Sequence, residues 1–309
     1  MAAAVVRLQF EFIFALCNCS LGRSRRAAFG RERKTLEVGR RRLGAGIGVA
    51  VGVTYKIAVS SQKGGVAKTT TALSLGACLA EQGRSVLLVD LDPQANLTQS
   101  LGFVPEQLRR AVGDVILDQA SLLSVSRESS VLNLDLVPAN NGLLVLDKIM
   151  YGRQGYEYRL KTQLQCLNGA YYDFILLDCP PSFGTLTVNA LTAADLLIVP
   201  VPCEYYSARS LRSYLELVKL INQKSNPGLR PRLLVTMFDR RNRISHAIRE
   251  QLQKSYGPCL FGASISIDVR LRESPIFGKP ITHYAPQSRS TQEYRALAAE
   301  LLTYAQTGS

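Results

Sequence analysis

Residues 56–99 read KIAVSSQKGGVAKTTTALSLGACLAEQGRSVLLVDLDPQANLTQ. Ile57, Ala58 and Val59 make an unbroken apolar run, the pattern of a strand buried on both faces. A Gly/Lys-rich loop follows, Gln62–Ala67, and then an Ala/Leu-rich helical stretch, Lys68–Gln82. Strand, glycine loop and helix in that order are the setting of a phosphate-binding loop. Backbone N–H groups of such a loop point inward, and the helix N-terminus adds partial positive charge. Gly64 and Gly65 let the backbone approach a phosphate closely. Lys68 is spaced to reach β/γ oxygens, and the Thr69 hydroxyl to sit on Mg²⁺. The commonest form of this loop wants glycines where Gln62 and Ala67 stand. The better match is K-G-G-x-x-K-T, with a second lysine at Lys63.

Outward from the loop, apolar runs and helical patterns alternate. Arg84–Asp90 and Asp173–Asp178 read as buried strands, each ending on a carboxylate. Leu196–Val201 and Arg232–Phe238 read as further strands, Leu132–Pro138 as an outer strand, and Leu260–Ile267 as a weak one. Helices are predicted over Gln107–Ala120, Gly142–Tyr151, Tyr158–Leu167, Thr185–Ala194, Ser207–Gln223, Ser245–Tyr256 and Ser290–Ala305, and a polar loop over 91–99. This alternation predicts an α/β fold: a three-layer P-loop NTPase, its mostly parallel twisted sheet covered by helices on both faces. Ligands in such sheets bind beyond the carboxyl ends of the strands, where the glycine loop, Asp90, Asp92 and Asp178 all fall.

Asp178 closes an apolar strand, where a carboxylate orders Mg²⁺ through water. Asp90 and Asp92 lie two apart in VDLDPQ and share a side if the strand continues. They suit holding Mg²⁺, orienting the attacking water, or forming an Asx turn before Pro93. Lys63 is surplus to its own loop and reads either as a solvated lysine or as one aimed at the phosphates of a facing subunit.

The 309 residues, 47% hydrophobic, suffice for one sizeable α/β domain and a tail. Net charge is +13, of which +7 falls on residues 1–54 with ten Lys/Arg against three Glu. Such a balance suggests a polyanionic partner, nucleic acid or anionic membrane. Residues 1–54 carry an arginine run, Arg23–Arg42, and an apolar patch too short to span a bilayer. The segment reads as a disordered basic tail, as upstream sequence from a misplaced start, or as a targeting peptide. Residues 55–309 are then the folded domain. Seven scattered cysteines, two of them Cys17 and Cys19, form no paired CxxC units, so structural zinc is not expected. Two histidines, His246 and His283, leave no material for a histidine triad.

At KGGVAKTT, VDLDPQ and DFILLDCPPS together, the chain resembles the ParA-type partitioning ATPases of the deviant phosphate-loop family that also includes MinD. ADLLIVPVPCEYYSARSL, VTMFDRRNRIS and VRLRESPIFGKPITHYAPQSRSTQEY fit as well, so the resemblance spans about residues 55–305. It implies ATP and Mg²⁺ as ligands, held by Lys63, Gly64, Gly65, Val66, Ala67, Lys68, Thr69 and Thr70. It implies an ATP-dependent homodimer in which Lys63 reaches the partner's phosphates, Asp92 positions the hydrolytic water, and Asp178 is the second acid beside Thr69. It further implies non-specific binding to double-stranded DNA, release on hydrolysis stimulated by a ParB-type centromere-binding partner, and a cytoplasmic, nucleoid-associated location. In related partitioning ATPases, arginines of two segments line the DNA face. Arg241 and Arg270 match best here, with Arg243 and Arg272 beside them. Ala67 departs from the family's glycine.

A MinD-like ATPase on the membrane surface is the chief rival, and asks for a basic amphipathic C-terminal helix. Residues 293–309 hold one arginine and end in small polar residues, so no stable membrane association is expected. An iron–sulfur reductase of the same superfamily needs intersubunit thiolates, and only Cys179 is suitably placed. A metabolic kinase or synthetase needs a substrate domain for which the chain has little length. A non-enzymatic DNA-binding module has no use for the set of acids.

Overall fold

The computed structural model describes residues 54–167, 171–204 and 207–307. The N-terminal extension, with Cys17 and Cys19, therefore lies outside the described residues. Apart from Gly152–Gln154, the described residues belong to one unit, Val49–Tyr151 and Gly155–Ser309.

Strand β1 (Tyr55–Val59) leads through the glycine loop into α1 (Lys68–Glu81), then β2 (Val86–Asp90) and the short α2 (Asn96–Ser100). Next come α3 (Val112–Ile116), α4 (Leu122–Val125), β3 (Arg127–Glu128), β4 (Leu134–Val137), α5 (Gly142–Met150) and α6 (Arg159–Gln165). The second half holds β5 (Phe174–Asp178), α7 (Thr185–Ala193), β6 (Leu196–Pro202), α8 (Ser207–Lys224), β7 (Arg230–Phe238) and α9 (Arg243–Tyr256). It closes with β8 (Leu260–Ser266), α10 (Arg270–Glu273), α11 (Ile281–Tyr284) and α12 (Arg289–Thr307).

The strands form one sheet in the order β3-β4-β2-β5-β1-β6-β7-β8, parallel throughout except for the β3–β4 pair. Alternating side chains of each strand feed two cores, as a doubly covered sheet requires. Ile57, Val59, Leu176 and Ile198 face α1 and α12, where Leu75, Leu79, Tyr294, Leu297 and Leu301 are buried. Ala58, Leu177, Leu197 and Val199 face the opposite layer, with Leu146, Leu160, Leu191 and Tyr214. The three-layer expectation is met.

Two strand features open the site. β1 ends its pairing with β6 at Val59–Ile198, whereas β6 runs on to Pro202 beside β7. Pro200 and Pro202 lack N–H donors, and they sit in the stretch of β6 that has outrun β1. The gap so left holds the loop. At the other end, β7 and β8 pair with a register shift around Met237, a non-glycine residue at φ 52. That bulge turns the chain into Asp239–Arg243.

Some expected boundaries are corrected. Gln107–Ala120 is not one helix: a 3-10 turn (Pro105–Gln107) precedes α3, and Ala111 between them is extended. The Asp114 carboxylate accepts the Ala111 backbone N–H at 2.8 Å and starts the helix there. Residues 91–99 are not wholly loop, because α2 begins at Asn96. β4 is interior rather than outer, since β3 covers its free edge. β8 is a full parallel strand of seven residues rather than a weak one.

Candidate active site

The loop between β1 and α1 is shaped by two left-handed residues. Gly65 has φ +70, with open space where a Cβ would stand. Ala67 has φ 68 and ψ 34, so alanine occupies a conformation that costs an L-residue about 1–2 kcal/mol. This gives the glycine expected there a physical reason. Ala67→Gly is expected to stabilise the chain by up to about 1 kcal/mol in urea unfolding, the backbone relief exceeding the added freedom of the unfolded state.

Lys68 is buried and folds back over its own loop, donating from Nζ to the Lys63 carbonyl at 3.0 Å. Burial lowers its pKa, while Asp178, Cys179 and Asp92 nearby oppose that shift. The Thr236 hydroxyl of β7 donates to the Val66 carbonyl at 3.2 Å and pins the loop from the sheet side. Thr69 and Thr70 remain partly exposed at the start of α1. Lys63 is placed differently from the other loop residues. Its ammonium pairs with Glu204, just beyond β6, rather than with anything in its own loop.

Parallel register sets Asp178 beside both Val59 of β1 and Asp90 of β2. The two carboxylates are fully buried, yet their environments differ. Asp90 accepts from the Thr98 N–H at 2.9 Å, the Thr98 hydroxyl at 2.7 Å and the Asp92 N–H at 3.1 Å. The Thr98 hydroxyl in turn accepts from the Ala139 N–H at 2.9 Å. Asp90 therefore anchors α2 and the loop carrying Asp92, with both of its oxygens already engaged by the protein. Neither Asp178 oxygen has a well-formed hydrogen bond; the Thr69 hydroxyl stands close but makes only a weak one. Burial, then the neighbouring Asp90, raise the Asp178 pKa well above the carboxylate range, and burial pushes Asp90 up to about 7. The nearby Thr69 hydroxyl and the Lys68 ammonium offset only part of the shift at Asp178. A buried carboxylate so weakly partnered is costly unless a cation or donor arrives. Asp92 is nearly buried, and its Oδ1 accepts from the Gln94 N–H at 2.9 Å.

The weakly partnered Asp178, the Thr69 hydroxyl and open space above Gly64 and Gly65 fit a magnesium triphosphate. Among the described residues no cluster of three or more His, Cys, Asp or Glu side chains forms an ion cage. Mg²⁺ needs none, since it keeps waters and leans on substrate phosphates. A cleft of about 410 Å³ lies elsewhere, walled by Phe238, Arg240, His246 and Arg249. Its acid, Glu293, is already taken by Ser266 and Arg240.

Arg241 and Arg243 are exposed beyond β7, and Arg270 and Arg272 are exposed beyond β8. The two segments adjoin, because Ile267 N–H donates to the Phe238 carbonyl at 3.2 Å. They lie on the same carboxyl edge of the sheet as the loop. Thr98, Thr236 and Glu204 are site residues that sequence reading missed. A lone threonine inside the apolar run LLVTMF was a usable signal for Thr236; the other two depend on long-range closure.

A family model described as an AAA domain matches residues 54–231. The sporulation initiation inhibitor protein Soj of Bacillus subtilis is 41% identical over 246 residues, covering 79% of this chain and 97% of that protein. The chromosome partitioning protein ParA of Myxococcus xanthus is 38% identical, covering 80% and 87%. A crystal structure of cobyrinic acid a,c-diamide synthase from Mycobacterium smegmatis, with bound ATP analog and magnesium, superimposes with a TM-score of 0.71. It is 36% identical and covers 83% of this chain and 98% of that one.

Proposed function

The chain belongs to the ParA-type partitioning ATPases, and from this we propose that it hydrolyses ATP to drive segregation of DNA. Residues 55–309 act as the ATPase domain, with 1–54 as a basic N-terminal extension. The observation that carries the reading is Asp178: a fully buried carboxylate with no well-formed hydrogen bond, set one strand from a phosphate loop whose Thr69 and Lys68 stand beside it.

Residues 63–70 cradle the triphosphate, with backbone N–H groups and Lys68 on its β/γ oxygens. Thr69 would hold Mg²⁺, with Asp178 and Asp92 as the acids beside it. When bound, the cation neutralises charge on the phosphate oxygens. Asp92 is kept by the Asp90–Thr98 anchor where it orients the attacking water. Two copies close over two nucleotides. Lys63 then leaves Glu204 for the triphosphate of the second copy, an exchange made easy because an exposed ion pair is worth about 1 kcal/mol or less.

The closed dimer presents Arg241, Arg243, Arg270 and Arg272 to double-stranded DNA without reading its sequence. A ParB-type partner stimulates hydrolysis and release, at the nucleoid in the cytoplasm. Among the described residues no helix is long and apolar enough to cross a membrane. Helix α12 spends its apolar face, Tyr294, Leu297, Ala298 and Leu301, on the core against the sheet rather than on lipid.

Co-sedimentation with DNA in the presence of ATP tests this face. Arg270→Glu is expected to abolish co-sedimentation while leaving ATP binding intact. If DNA is still carried down, the arginine face is wrongly placed.

A further inference from the structure

Large apolar side chains standing singly at a surface are ordinary. The two segments beyond β7 and β8 carry a cluster of them. Ile244, Ile267, Val269, Ile276 and Phe277 are all exposed. Among them stand Arg241, Arg243, Arg270, Arg272 and Lys279, with no ion pair among the described residues. The acids nearby are already engaged. Asp239 accepts from the Arg241 N–H, Asp268 from the Arg270 N–H and Ser290, and Glu273 from the Tyr284 hydroxyl. These acids keep their charge, but none of the three forms an ion pair with the five cations, so the patch stays net positive with apolar groups beside it.

Ile276 is the most exposed of them at 80%, and Phe277 beside it is 60% exposed, at the end of a 3-10 turn (Ser274–Phe277). That turn is braced on both sides. The Phe277 ring stacks on Tyr284, centroids 5.1 Å apart at 21°. Gly278 follows at φ +63, and a Cβ there would stand 3.2 Å from the Gly102 Cα. A braced, exposed apolar pair between cations is more than a purely electrostatic face requires. Apolar wedges flanked by phosphate-binding cations are how many proteins seat themselves in a DNA groove.

We propose that Ile276 and Phe277 wedge against sugar and base edges of duplex DNA while Arg270, Arg272 and Lys279 hold the flanking phosphates. This rests on the DNA-binding reading above and adds a salt-insensitive component to it. The rival occupant of a basic, apolar face is an anionic lipid surface.

The test is fluorescence anisotropy on a mixed-sequence duplex across a NaCl series, with a non-hydrolysable ATP analogue and Mg²⁺. Loss of an aromatic and an aliphatic contact is expected to weaken binding by the Ile276→Ser/Phe277→Ala double variant about tenfold or more at every salt concentration. The slope of log K against log salt stays unchanged, whereas Arg270→Ala reduces it by about one. Analogue binding by the double variant, measured alongside, verifies its fold. Wild-type affinity in the double variant overturns the wedge alone. A double variant that keeps DNA but loses phosphatidylserine vesicles assigns the pair to lipid and also overturns it. An unsubstituted chain that binds no DNA overturns the functional reading and the wedge together.

Discussion

Lys68→Ala is expected to weaken ATP binding by about a hundredfold or more, within the 2–5 kcal/mol that truncating one member of a buried charge pair costs. Two losses combine. The ammonium no longer meets the β/γ oxygens, and the loop loses the bond from Lys68 Nζ to the Lys63 carbonyl that closes it. Lys68→Arg does not rescue binding, because a planar guanidinium cannot occupy the slot of a compact ammonium. Equilibrium titration with a fluorescent ATP analogue measures the effect. Near-normal affinity in Lys68→Ala would remove the loop from the account.

Asp92→Ala has the second large effect, on a different step. Hydrolysis is expected to fall by about 10²–10⁴, the range assigned to a positioned group acting on the attacking water. ATP binding persists, since Lys68 and the loop amides remain. The variant therefore accumulates as an ATP-bound dimer that stays on DNA. Phosphate release under saturating ATP gives the rate, and analytical ultracentrifugation the assembly. Rapid turnover by Asp92→Ala would contradict the water-positioning role. Asp90→Ala serves as the contrast. Asp90 holds Thr98 and the Asp92 backbone, so its loss loosens α2 and lowers stability as well as turnover.

What the sequence disclosed and what it withheld divide along physical lines. The glycine loop and the strand-terminal Asp178 were legible because both are local: an apolar run, then the residue types that a phosphate or a cation needs. Parallel alternation was legible for the same reason, and it placed loop and acids on one sheet edge. Asp90 was read as equivalent to Asp92, because spacing alone cannot show that Thr98 curls back to occupy one of them. The salt bridge from Lys63 to Glu204 closes across 141 positions, a separation no local pattern records. Helix Gln107–Ala120 failed because the Asp114 side chain competes for the Ala111 backbone, a choice that helical periodicity does not register. The exposed Ile276 and Phe277 sit within VRLRESPIFGKPITHYAPQSRSTQEY, where no local pattern marks them, and only their exposure in the fold singles them out.

Closure of two chains over nucleotide links the site to the DNA face, so it is the claim on which the rest stands. Light scattering coupled to size exclusion, with a non-hydrolysable ATP analogue and Mg²⁺ and with DNA binding followed on the same samples, addresses it directly. The account predicts a monomer without nucleotide, a dimer with the analogue, and DNA held by the dimer alone. A chain that stays monomeric with the analogue, yet binds DNA equally well, would contradict it.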